Sequence, residues 1–97
     1  GLRMDAALGY DFYATDLVLQ AQERGLAGVV LDAYCEHWSD TPLAGPVPHA
    51  LAQRILASAE VFEHKWASRL PVTTPCFHIA QAGDVRAFGA TLGVSPP

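Results

Sequence analysis

Apolar and polar positions divide the chain into segments with different periods. In "DLVLQAQERG" the residues Leu17, Leu19 and Ala21 alternate with Gln, Glu and Arg, a pattern that reads as a helix. Thr15 or Asp16 can cap its start, and Gly25 stops it as a C-terminal glycine should. "AGVVLDAYCEHW" follows at once, and its unbroken apolar run from Val29 to Leu31 predicts a buried strand. From His49 to Leu70 the positions Leu51, Ile55, Ala59, Phe62 and Trp66 recur at three- to four-residue steps, predicting one long amphipathic helix ended by Pro71. Its opposite face carries Gln53, Arg54, Glu60, Glu63 and Lys65.

Between these segments "SDTPLAGPVP" holds three prolines and a glycine and is a loop. Beyond Pro71 the pattern weakens to a short strand around Phe77 to Ala80 and a helical turn from Asp84 to Phe88, and "SPP" reads as a frayed end. The order helix, turn, strand, loop, long helix is that of an α/β layer. We divide the chain as one partial domain: a helix-strand unit over 1–40, a proline-rich loop over 41–48, the long helix over 49–70 and an irregular segment over 71–97.

Composition narrows the function classes. The chain has 97 residues, 51% of them apolar and only 16% charged, which is a large apolar share for a domain of this size. That excess predicts a partner surface, supplied by another subunit or by the rest of a longer polypeptide, and hence self-association of the chain alone. A net charge of -4 with six dispersed basic residues leaves no electrostatic footprint for nucleic acid or an anionic membrane. No apolar run is long enough to span a bilayer and no signal pattern opens the chain, so a soluble, cytoplasmic protein is expected. Cys35 and Cys76 match neither a zinc nor a Cys-x-x-Cys spacing and are expected to be small buried hydrophobes.

Two stretches carry a family resemblance. "LRMDAALGYDFYATDLVLQAQERGLAGVVLDAYCEHWSD" joins two aromatics, two carboxylates, Asp-Leu, "LQAQERGL", an apolar run and a terminal His-x-Ser. In this it resembles the C-terminal part of the catalytic domain of inverting family 2 glycosyltransferases, nucleotide-sugar-dependent enzymes of GT-A fold. "VFEHKWASRLP" is similar to the Phe-x-x-Lys-Trp-x-x-x-Leu-Pro helix of a bacterial subgroup of that family. The resemblance covers about two thirds of the chain and implies the acceptor-side portion of a GT-A fold. The donor-binding half would lie upstream or be lost.

The resemblance implies that a carboxylate at the helix mouth acts as general base on an acceptor hydroxyl, transferring the sugar with inversion. Asp16 and Asp11 are the candidates, with Asp16 favoured because Asp-Leu is the constant part of the motif. Many relatives carry an acid where this chain has Ala14, so the base does not transfer cleanly. Asp16 could instead serve only to satisfy the helix N-terminus. Tyr10, Tyr13 and Trp38 are expected to bind substrate, the tyrosines by stacking on a sugar face. His37 is expected near the metal and diphosphate, whereas His49, His64 and His78 are expected to be surface or half-buried residues.

A divalent metal, Mn or Mg, is implied only for the complete enzyme. No Asp-x-Asp occurs in the chain, and one histidine cannot hold such an ion. Nucleotide-sugar binding is therefore expected to need the missing half. A contrasting expectation is a small non-catalytic α/β interaction module that buries an apolar helix face against a partner.

Overall fold

A computed structural model describes residues 1–36, 48–75 and 77–94. Among these residues three helices and a two-stranded sheet make a small mixed α and β domain: α1 (Tyr13–Glu23), α2 (His49–Lys65), β1 (Val72–Thr73), β2 (His78–Ile79) and α3 (Asp84–Thr91). Single 3-10 turns, Ala6–Leu8 and Ala67–Arg69, precede α1 and follow α2. No helix among the described residues is long and apolar enough to cross a membrane.

Helix α1 begins earlier than its polar pattern predicts. Its N-cap is Phe12, with no side-chain cap, so neither Thr15 nor Asp16 fills that role. The end agrees with the pattern: Gly25 takes φ of 75°, its N–H bonds the Gln22 carbonyl, and the Leu26 N–H bonds the Ala21 carbonyl. These are the two bonds of a Schellman ending, which needs a residue tolerant of the left-handed region.

Helix α2 is the spine. It gives Leu56, Ala59 and Phe62 to the core, and Trp66 at its C-cap adds the indole. Leu51 and Ile55 are only half-buried and Leu56 takes the expected inner place, a small rotation of the stripe. Regular α-helix ends at Lys65 and a 3-10 turn carries the chain to Pro71, whose ring excludes the helical conformation from the residue before it. Leu8, Phe12, Leu19, Val72, Ile79, Val85 and Val94 complete the core around this helix. Phe12 lies 5.7 Å from Phe62 and 6.0 Å from Phe77, ring to ring.

The polar face of α2 ties the molecule together. Arg54 reaches Asp11, Glu60 pairs with Arg86, and the Glu63 carboxylate accepts the Val85 N–H at the start of α3. The strands pair antiparallel, Val72 with Ile79 and Thr73 with His78, and the short strand and helical turn expected after Pro71 are both present. α3 runs a turn beyond the expected Phe88.

The expected buried strand after α1 is corrected. Residues 26–36 form no strand, and Val29, Val30 and Leu31 are 77%, 101% and 76% exposed. A continuous apolar run becomes a buried strand only where other strands bond its edges and layers cover both faces. The described residues supply neither. Cys35 is exposed rather than buried, for the same reason. The loop over 41–48, apart from exposed Pro48, and Cys76 fall outside the described residues, as do His37 and Trp38.

Candidate functional site

Asp16 sits in the first turn of α1, four residues after Phe12 and three before Leu19, so it points where those apolar side chains point. Its side chain is fully buried. Three donors from two helices converge on it. The Trp66 indole N–H donates to Oδ1 at 2.8 Å, the Lys65 ammonium reaches the same oxygen at 2.8 Å, and the Gln20 amide donates to Oδ2 at 2.7 Å. Gln20 also exchanges hydrogen bonds with the backbone of Arg3, which ties the N-terminal segment to this cluster.

Such a carboxylate is a structural anchor. A buried charge persists only when paired and hydrogen-bonded, and every donor here serves that end. With no exposed oxygen, it has no approach to a substrate hydroxyl. The two segments that carry the family resemblance, "TDL" and "HKW", are thus bonded to each other through one side chain. The sequence held a signal for this: Asp16 shares the helical face of Phe12 and Leu19, and Lys65 stands beside Trp66 at the end of an apolar stripe.

Lys65 also reaches Asp5 at 2.9 Å and lies 5.6 Å from the Trp66 ring centre. Partial burial pushes the Lys65 ammonium down, but hydrogen bonds and charge from Asp16 and Asp5 outweigh it and hold the group above its usual value. The hydrogen bond from Lys65, then that from the Ala7 N–H, holds Asp5 below the ordinary carboxylate range. A raised lysine stabilises the fold below its unfolded pKa of about 10.4 and loses that contribution as pH rises through its folded value. A lowered aspartate contributes above about 3.9 and loses it as pH falls through its folded value. Urea midpoints are therefore expected to fall above about pH 10 and below about pH 4 on account of this pair, with the acid limb shallower in Asp5→Asn.

Asp11 occupies a different setting, half a turn before α1 and 15% exposed at its side chain. Its Oδ2 accepts from Arg54 Nε at 3.3 Å and from the Ser58 hydroxyl at 3.3 Å, and its Oδ1 accepts from Arg54 Nη2 at 3.4 Å. Two consecutive turns of α2 supply this fork. Neither Arg54 nor Ser58 stood out in the sequence, because a polar helix face ordinarily meets solvent.

The backbone at Phe12 arranges the surroundings. Its φ of 64° is the one positive value at a non-glycine residue among those described. A bulky side chain in the left-handed region costs roughly 1–2 kcal/mol, offset here by the tilted ring contacts of Phe12 with Phe62 and Phe77. The reversal sends Phe12 inward and leaves Tyr10 and Tyr13, 84% and 40% exposed, on either side of Asp11. An open cleft of about 380 Å³ lies there, lined by Tyr10, Asp11, Phe12, Tyr13, Thr15 and Pro75.

The structure therefore brings Tyr10, Asp11 and Tyr13 to one cleft and separates them from Asp16, which faces the interior. His49, His64 and His78 are exposed, and His78 Nδ1 lies 2.8 Å from the Thr73 hydroxyl oxygen. Among the described residues no three His, Cys, Asp or Glu side chains converge on a point, so the metal implied by the resemblance has no ligand set there. No known protein family, curated protein or solved structure matches the chain.

Proposed function

We propose that the chain is the acceptor-side portion of an inverting, nucleotide-sugar-dependent glycosyltransferase of GT-A fold. The bond between the Asp-Leu motif and the Lys-Trp motif supports this reading. Two segments chosen for their resemblance alone prove to be partners through Asp16. In this reading the cleft beside α1 takes a saccharide or similar polyol, with Tyr10 and Tyr13 offering ring faces and hydroxyls.

Asp11 is the carboxylate that meets the acceptor. Its partly exposed side chain can accept a proton from an attacking hydroxyl, while Arg54 and Ser58 hold it in position. Asp16 keeps the helix mouth attached to α2 and takes no part in the chemistry. The donor, its diphosphate and any metal belong to residues other than those described.

Amide-resolved NMR titration with neutral mono- and disaccharides tests the reading on the chain itself. Binding is expected in the millimolar range, roughly 4 kcal/mol, with shifts confined to Tyr10–Thr15. Tyr10→Ala should abolish it without lowering the urea midpoint, since that side chain is 84% exposed. Absence of shifts at about 100 mM sugar would favour a non-catalytic interaction module. One observation already favours that second reading: an apolar run, Val29 to Leu31, stands open to solvent.

A further inference from the structure

The chain is acidic overall, yet its cations are unevenly matched. Of its six basic side chains, Arg54, Lys65, Arg69 and Arg86 each have a carboxylate within 4.0 Å among the described residues, whereas Arg3 and Arg24 have none. Both of these line one open cleft of about 450 Å³ at the C-terminal end of α1, together with Met4, Lys65 and Trp66. The carboxylates of the same cleft are engaged, Asp5 by Lys65 at 2.9 Å and Glu23 by Arg69 at 3.8 Å. Gln20 places both arginines. Its side-chain amide bonds the Arg3 N–H and carbonyl, and its backbone carbonyl accepts from Arg24 Nη1 at 3.1 Å. A cation serving the last carbonyls of a helix is ordinary. Arg24 does more, because its Nη2 also donates to the Gly1 carbonyl at 3.3 Å and so sets the guanidinium between α1 and the N-terminal segment.

We propose that this cleft binds a small organic phosphate ester, its dianion held between Arg3 and Arg24 and the attached group lying over Met4. Like charges gathered in one cleft without a counter-charge repel each other, and an anion between them turns that cost into attraction. A guanidinium presents a planar fork of donors that fits phosphate, and Arg24 spends only two of its N–H groups on carbonyls. The volume lies within the roughly 300–1,000 Å³ of small-molecule sites, so a group larger than phosphate itself is accommodated. Met4, 61% exposed, supplies the apolar wall. A nucleic acid is a poor fit, because outside this face acidic residues outnumber basic ones. The cleft lies at the opposite end of α1 from Tyr10–Thr15, and the inference is independent of the saccharide reading.

Amide-resolved NMR titration with phenyl phosphate and with inorganic phosphate, each against sodium chloride at equal ionic strength, tests it. Phenyl phosphate is expected to bind with Kd of about 1 mM or less, at least about threefold tighter than inorganic phosphate, and to shift Arg3, Gln20 and Arg24 but not Tyr10–Thr15. Arg3→Gln should weaken binding at least about fivefold and leave the urea midpoint unchanged, because that side chain bonds no described residue. Arg24→Lys keeps the charge but gives up the fork, and should weaken binding as well. Shifts reproduced by sodium chloride, phenyl phosphate no tighter than inorganic phosphate, or Arg3→Gln binding like wild type would each overturn the proposal.

Discussion

Trp66→Ala is expected to cost about 3–5 kcal/mol, the range for deleting a large buried aromatic side chain. Trp66 is 4% exposed and closes the end of α2 over the core. The truncation also strips the indole N–H from Asp16, leaving a buried carboxylate oxygen with the Lys65 ammonium alone. Small domains have about 5–15 kcal/mol of total stability, so the variant should be largely unfolded at modest urea concentration. Trp66→Phe separates the two contributions. It keeps most of the apolar volume and loses the donor, and should fall between wild type and alanine by about 1.5–3 kcal/mol, the scale of a hydrogen bond to a charged group. A Trp66→Ala urea midpoint within error of wild type would show that the indole does not close the core.

The second large effect is Asp16→Asn. An asparagine at a helix N-terminus is ordinarily harmless, and a capping aspartate would tolerate the change. Asp16 is not the cap, and all three groups against it are donors. An amide offers one acceptor oxygen and turns its own N–H₂ toward a donor, so about 2–3 kcal/mol of stability should be lost. The figure lies below that of a fully buried ion pair because the Lys65 side chain is 30% exposed and keeps Asp5 as a partner. Asp11→Asn keeps an acceptor oxygen for Ser58, and its ion-pair partner Arg54 is itself 55% exposed, so the urea midpoint should fall by less than for Asp16→Asn. Equal midpoints for the two variants would contradict the division of labour between these carboxylates.

Much of the helical framework was legible because helix signals are local. The 3.6-residue period set α2 over Phe62 and Trp66, and Gly25 supplied the left-handed residue that ends α1. The start of α1 was not legible. It depends on a left-handed phenylalanine, a conformation that no propensity favours and that only contact with Phe62 and Phe77 supports. The rotation that buries Leu56 in place of Ile55 likewise reflects where α3 packs.

The two carboxylates show where local reading stops. Sequence alone placed Asp11 and Asp16 five residues apart at a helix mouth and made both candidates for one task. Helical geometry turns Asp16 onto the face of Leu19, and Lys65 and Trp66, some fifty residues away, convert that position into a buried anchor. Asp11, beyond the left-handed reversal, faces the cleft under Arg54 and Ser58. The apolar run at Val29 to Leu31 makes the same point from the other side. Its composition determines a readiness to form a strand, but pairing needs a neighbour of complementary edge, and burial needs layers on both faces. What the residues determined by themselves were the elements whose hydrogen bonds close within a few positions. Tertiary structure decided which polar groups face inward and whether an apolar segment is covered, because those depend on groups brought together from distant parts of the chain.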